Sequence, residues 1–191
     1  MGLSLLPNLI MQDLGYSTAE LMGKAKIELF GKDISLRKEA HDAFLEMKKA
    51  AYSDGIDLKI VSSFRDFSRQ EGIFERKYIT YTDEGMEPMA AIEKIIEYST
   101  IPGTSRHHWG TDFDIWDRST VADDYAPQLL ASEYQRKGVF AEMTAWLDDQ
   151  IAADNAEGFY KPYHVDRGGV APEPWHISYR PVAEGYQRQL S

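Results

Sequence analysis

The chain has no cysteine among its 191 residues. Disulfides and thiolate metal centres are therefore excluded, and any bound zinc must be held by histidine and carboxylate. The absence does not choose a compartment, because reducing and oxidising surroundings both tolerate a cysteine-free chain. Long apolar runs are missing too: no stretch approaches the ~20 apolar residues of a spanning helix. The opening segment MGLSLLPNLIMQDLGYS lacks a basic start followed by a long apolar run, so it makes a poor secretory signal. A cytoplasmic protein is the expectation, with a periplasmic or cell-wall location open if a leader was removed. Basic residues are outnumbered, 21 Lys and Arg against 31 Asp and Glu, for a formal charge of −10. That surface repels phosphate backbones and anionic membranes, which argues against nucleic acid as a partner. A pocket with a local positive charge stays compatible with it.

What is present suits one folded domain. The chain is 43% hydrophobic and carries four Trp, eleven Tyr and eight Phe, enough large apolar side chains for a sizeable core. There is no internal repeat, low-complexity tract or linker. Leu36, Ala40, Ala43, Phe44, Met47, Ala50 and Ala51 recur at helical steps from Ser35 onward. Ser35 or Asp33 is placed to cap that helix, and Gly55 lies just past its end. Leu58–Ser62 reads as a strand. Ser68 to Ile79 reads as a helix, with Ser68 and Glu71 at capping-box spacing. Thr80 to Pro88 is polar and turn-rich, a short helix covers Ala91–Tyr98, and Pro102-Gly103 opens a loop. Thr111 to Trp116 alternates as a strand does, with Thr111, Phe113 and Ile115 on one face and Asp112, Asp114 and Trp116 on the other. A helix is expected over Val139–Ala152. Strands are expected near Gly158–Tyr163 and Trp175–Tyr179, flanking a loop at Asp166. Helices and strands mix without a βαβ rhythm, so the fold class is α+β. The expected organisation is an N-terminal segment over 1–34 packed on a domain over 35–191.

Five histidines carry most of the candidate chemistry. His41 falls mid-helix and reads as a boundary residue. The stretch Ser105-Arg-His107-His-Trp-Gly110-Thr-Asp112-Phe-Asp114 places an imidazole in a loop and a carboxylate on the strand that follows. Such a pair can converge on one ion, with Gly110 allowing close backbone approach; the same residues also fit a solvated turn. In Glu173-Pro-Trp-His176, a strand histidine can complete a site of three protein ligands and one open position. Glu173, set back behind a rigid proline, can reach a water there and take its proton. A buried Trp-His pair with Glu173 in solvent is the plainer alternative. In Ser62-Ser63-Phe-Arg65-Asp-Phe-Ser-Arg-Gln70, Arg65 follows a strand, where its guanidinium could stabilise an oxyanion; taken alone, a surface ion pair with Asp66 or Glu71 is the better reading of it.

Taken together and in this order, the three segments resemble the VanY-type D-alanyl-D-alanine carboxypeptidases, a family related to VanX-type dipeptidases and the hedgehog signalling domain. The family pattern runs Ser-x-x-Arg-x4-Gln, Ser-x-His-x-x-Gly-x-x-x-Asp, Glu-x-x-His, and the likeness spans Ser35 to Tyr179. The resemblance implies a small α+β domain, a central antiparallel sheet flanked by helices. It implies zinc held by His107, Asp114 and His176, with Glu173 as general base and Arg65 stabilising the transition state. Ser105, Gln70 and Ser63 would meet or support the substrate, a peptidoglycan-derived peptide. The motif spacing selects Asp114. Asp112 shares its strand face, as a rival ligand or as the group that orients a ligand histidine. His108 is expected to point away from His107, and His164 to line the pocket or to pack.

The implied reaction is hydrolysis of the terminal D-alanine bond. L,D-carboxypeptidase, dipeptidase and endopeptidase activities share its core chemistry, and specificity is expected from the loops Thr80–Pro88 and Ser119–Gln135. A zinc-containing peptide-binding module and a metal-free domain are the competing classes.

Overall fold

The computed structural model describes residues 15–32 and 34–190. The early part of the expected N-terminal segment, residues 1–14, and the candidate cap Asp33 lie outside the described residues.

The chain begins with a one-turn helix, α1 (Thr18–Leu21), and then the long α2 (Lys38–Ser53). Buried Ala40, Phe44, Met47 and Ala51 make the apolar stripe of α2. Ser35 does not cap it. Arg37 occupies the N-cap without a side-chain cap bond; Ser35 instead donates its backbone N–H to the Ser63 hydroxyl, 3.0 Å away. Strand β1 (Leu58–Ser62) leads to α3 (Phe67–Asp83) and α4 (Pro88–Tyr98). The cap of α3 is Asp66, whose carboxylate accepts from the Arg69 amide, so the Ser68 capping box does not form. The helix also outruns its expected end at Ile79. Its last turns are polar, but the hydroxyls of Thr80 and Thr82 bond back to Arg76 and Tyr78 carbonyls and need no turn to satisfy them.

A 3₁₀ turn (Arg106–Trp109) precedes β2 (Asp112–Asp117). The short α5 (Ala131–Tyr134), α6 (Ala141–Ala152), β3 (Phe159–Tyr160), β4 (His176–Tyr179) and α7 (Arg180–Leu190) complete the chain. The sheet runs β1-β2-β4-β3, antiparallel throughout. The α+β class and the central antiparallel sheet are thus as the sequence indicated.

One face of the sheet is core. Phe113, Ile115 and Ile177 are fully buried in one cluster with the α2 stripe, Leu58, and Met143 and Leu147 of α6. Phe44 meets Phe113 edge-on at 5.2 Å between centroids. The described part of the N-terminal segment docks at the other end of the chain: Tyr16 stacks on Tyr186 of α7 at 3.8 Å. Arg37 ties these pieces together, donating to Glu20, to the Trp109 carbonyl and to the Tyr186 hydroxyl.

Candidate metal centre and catalytic cleft

Register builds the site. Asp114 sits in the middle of β2, directly opposite His176 on β4 and Ser62 on β1. Because strand side chains alternate, Asp112 and Asp114 share the face away from Phe113 and Ile115. The 3₁₀ turn brings His107 over that face, and its ring meets the His176 ring edge-on at 4.9 Å. The turn ends at Gly110 with φ +70, where an added Cβ would lie 3.2 Å from both Arg37 and Leu29. A side chain there would be strained and crowded, so the tight entry into β2 calls for glycine.

His107, Asp114 and His176 each offer one ligand atom, all within 4.8 Å of one another, and all three residues are buried. The outer ring nitrogens are occupied. His107 Nδ1 faces the Ser63 carbonyl at 3.0 Å, and His176 Nε2 faces Asp112 at 3.1 Å. That leaves His107 Nε2 and His176 Nδ1 turned inward, 3.5 Å and 3.1 Å from the Asp114 carboxylate. Outer-nitrogen bonds of this kind fix tautomer and ring orientation in metal sites. The donor set, two imidazoles and one carboxylate, suits zinc with an open position.

Asp112 belongs to this support, not to the ligand triangle. It is fully buried and accepts from Arg106 Nε at 2.7 Å, Thr111 at 2.7 Å and Ser178 at 3.0 Å besides His176. Burial alone would raise its pKa, but Arg106, His176 and Thr111 outweigh burial and hold it well below the usual carboxylate range. Arg106 is satisfied in turn by Gln187, Tyr160 and Ser178. Sequence reasoning passed over Arg106; its one signal was a basic residue beside His107 with an acidic one on the following strand.

The two ring environments differ. Burial pushes the His107 pKa down to about 3, so it stays neutral. Burial also opposes charge on His176, but its bonds to Asp112 and Asp114 win and raise it to about 9. The lone pair of His176 must therefore be freed of a proton before a cation can take it. Apparent zinc affinity is expected to climb about tenfold per pH unit as pH rises toward 9, with no contribution from His107. Competition with a chromophoric chelator between pH 7 and pH 9 measures this, and a flat profile contradicts it.

The centre opens into a cavity of about 460 Å³ lined by Arg65, Ser105, Glu173 and Tyr163, among others. Glu173 Oε2 lies 3.5 Å from His176 Nδ1. Burial pushes the Glu173 carboxyl up to about 7, against the opposing pull of His176. Arg65 reaches Asp114 at 3.2 Å and His107 at 3.1 Å, and Gln70 and Ser62 hold its guanidinium in place. The surface ion pair with Asp66 or Glu71 does not form among the described residues.

Ser105 lines the cavity as expected. Ser63 does not: its hydroxyl accepts from Ser35 and its carbonyl faces His107, while Ser62 lines the wall. Gln70 is fully buried, between Arg65 and the Thr100 carbonyl, and acts from behind the wall. His108 points away from the centre and lies against the Arg65 carbonyl at 2.6 Å. His164 is exposed and bonds the Lys161 carbonyl; Tyr163 takes the cavity place instead, 4.9 Å from the His176 ring. His41 is half-buried beside Asp42, a boundary residue. Of the two loops expected to shape specificity, Gln128–Ala131 lines the cavity and 80–88 does not. The other wall is Arg69, Ile73 and Lys77 of α3 with residues 98–100, a stripe readable from its four-residue spacing.

The chain belongs to the VanY D-alanyl-D-alanine carboxypeptidase family, whose model matches residues 33–182. A D-alanyl-D-alanine carboxypeptidase of Enterococcus faecalis (strain ATCC 700802 / V583) is 25% identical over 150 residues, covering 77% of this chain and 47% of that protein. The chain thus spans about half the length of that relative. Among solved structures, VanYB in complex with D-alanine-D-alanine superposes with a TM-score of 0.64 at 22% identity, covering 87% of this chain and 86% of that one. A Zn(II) complex of a point mutant of the vancomycin-resistance D,D-pentapeptidase VanY, from a VanB-type cassette, gives 0.62 at 22%, covering 87% and 85%. These two share the fold. The LdcB LD-carboxypeptidase is 28% identical with a TM-score of 0.56, covering 86% and 71%.

Proposed function

We propose that this protein is a zinc-dependent carboxypeptidase that releases the terminal D-alanine of peptidoglycan stem peptides. The observation that carries the reading is the meeting, in one cavity, of a buried His-Asp-His triangle, Glu173 and Arg65. Zinc held by His107, Asp114 and His176 would supply a Lewis acid that polarises the scissile carbonyl and makes water acidic enough to attack. Glu173 takes the proton from the attacking water. A carboxyl poised at about 7 can both accept that proton and return it to the leaving amine. Arg65, steadied by Ser62 and Gln70, offers its guanidinium to the oxygen on which negative charge develops. Ser105 contacts the bound peptide, and Ser63 serves through its hold on His107.

A peptide-binding module would have no use for a buried carboxyl and a guanidinium beside the ligand triangle, which favours turnover. The likeness to an LD-carboxypeptidase supports cleavage of an L,D bond as a second reading. Both are tested with defined tetra- and pentapeptide stems scored by mass spectrometry, on zinc-loaded protein and after chelation. The expected result is loss of one terminal D-alanine, abolished by chelation and restored by zinc. Undiminished cleavage by metal-free protein would overturn the zinc chemistry; release from the tetrapeptide alone would select the L,D bond.

A further inference from the structure

The cavity has a wall that the chemistry above does not use. Arg69, Ile73 and Lys77 sit at four-residue steps on α3, so they share one face of the helix, and all three line the cavity. At 1.5 Å per residue Arg69 and Lys77 are about 12 Å apart along the axis, within joint reach of two long side chains over Ile73. Arg65 stands at the inner end of this wall, already engaged with Asp114 and His107.

Among the described residues no carboxylate lies within 4.0 Å of the Arg69 guanidinium or the Lys77 ammonium, although the chain has ten more acids than bases. Lys77 is half-buried, and its ammonium donates to the Ser99 hydroxyl at 2.6 Å. Burial and the nearby Arg65 both depress its pKa, while the charge of Glu173 opposes them. Arg69 is exposed, so it is the half-buried Lys77 that carries a desolvation cost an anion could offset. The cavity's own acids, Asp114 and Glu173, sit at the metal end. Leu129 and Leu130 of the Gln128–Ala131 segment add an apolar stretch to the lining.

We propose that Arg69 and Lys77 form a subsite for a second carboxylate of the substrate, one carried by a residue other than the departing terminus. This rests on the peptidase reading and names its substrate class: stem peptides with an extra free acid, with alanine methyl groups lying on the Leu129–Leu130 side. Two groups share that chemistry, the side carboxylate of a diamino-dicarboxylic residue and the α-carboxylate of a γ-linked glutamate.

The test compares three synthetic stem pentapeptides on zinc-loaded protein. One carries both free acids, one has lysine in place of the diamino-dicarboxylic residue, and one has the glutamate α-carboxylate as its amide. The wild type is expected to cleave the first at least about tenfold better in kcat/KM than one of the other two, and that peptide names the carboxylate. In the Arg69→Gln/Lys77→Met variant, which keeps most of the aliphatic stem, the preference is expected to vanish, read as the ratio of kcat/KM between two peptides on the same protein, so that any effect of Lys77 on Glu173 cancels. Equal cleavage of all three by the wild type, or a preference that survives in the variant, overturns the subsite and leaves the peptidase reading standing. If no peptide is cleaved, the peptidase reading falls, and calorimetric binding of the same three peptides decides the subsite: tighter binding of the doubly acidic peptide, lost in the variant, upholds it, and equal binding rejects it.

Discussion

A Glu173→Gln protein is expected to keep its zinc and to cleave its peptide ~10²–10⁴-fold more slowly, the usual contribution of a positioned acid–base group. The substitution preserves the shape of the side chain and removes only its basicity. Retention of metal is expected because the proposed ligands are His107, Asp114 and His176. Glu173 lies beside it, fixed by its own backbone: its amide donates to the Tyr163 carbonyl at 2.9 Å, and its carbonyl accepts from the His176 amide at 3.2 Å. Loss should therefore appear in kcat more than in KM. Elemental analysis and steady-state kinetics on the same preparation give both readouts. Cleavage within about tenfold of wild type would remove Glu173 from the chemistry, and loss of zinc would make it a ligand.

The second large effect concerns a residue that touches no substrate. Asp112→Ala strips from the buried Arg106 its only carboxylate partner among the described residues, and from His176 its outer bond. Breaking one side of a buried ion pair costs about 3–5 kcal/mol, because the surviving charge has lost its partner and cannot reach water. Loss of a group that orients a ligand histidine typically weakens metal binding ~10–100-fold. Both effects are expected together, the first in urea unfolding of metal-free protein and the second in chelator competition. Asp112→Asn keeps the acceptor oxygen and should fall between. If Asp112→Ala abolishes zinc binding as completely as Asp114→Ala, Asp112 is itself a ligand. If affinity is untouched while stability falls, it serves Arg106 alone.

Much of this was legible from the chain because two kinds of pattern are local. Alternation along Thr111–Trp116 sorts Phe113 and Ile115 from Asp112 and Asp114, and the strand obeys it. Order and spacing picked out His107, Asp114 and His176; cross-strand register pairs the last two, and the 3₁₀ turn brings His107 to them. What was not legible depends on partners distant in sequence. Ser62 and Ser63 are interchangeable on paper; a register shift between Ile60 and Ser62 accompanies the turn of Ser62 toward Arg65. Asp66 caps α3 in place of Ser68, accepting from the Arg69 amide and starting the helix two residues earlier. The wall around Leu130 is held by Glu133, whose carboxylate gathers the amides of Gln128 and Leu130 and the Tyr125 hydroxyl. No spacing rule announces a loop folded about a carboxylate.

The division of labour between sheet and periphery has a consequence for how such a molecule can change. Asp112, Asp114, His176 and Ser178 are locked by strand pairing, where slipping one residue would turn every one of them into the core. The cleft walls come from α3 and from Gln128–Ala131, neither of which belongs to the sheet. Under the proposed function, substitutions there alter what is admitted without disturbing how bonds are broken. Appetite and chemistry can thus drift separately: a lineage could exchange one peptide for another through a few changes on a helix face, while the metal centre passes from ancestor to descendant intact.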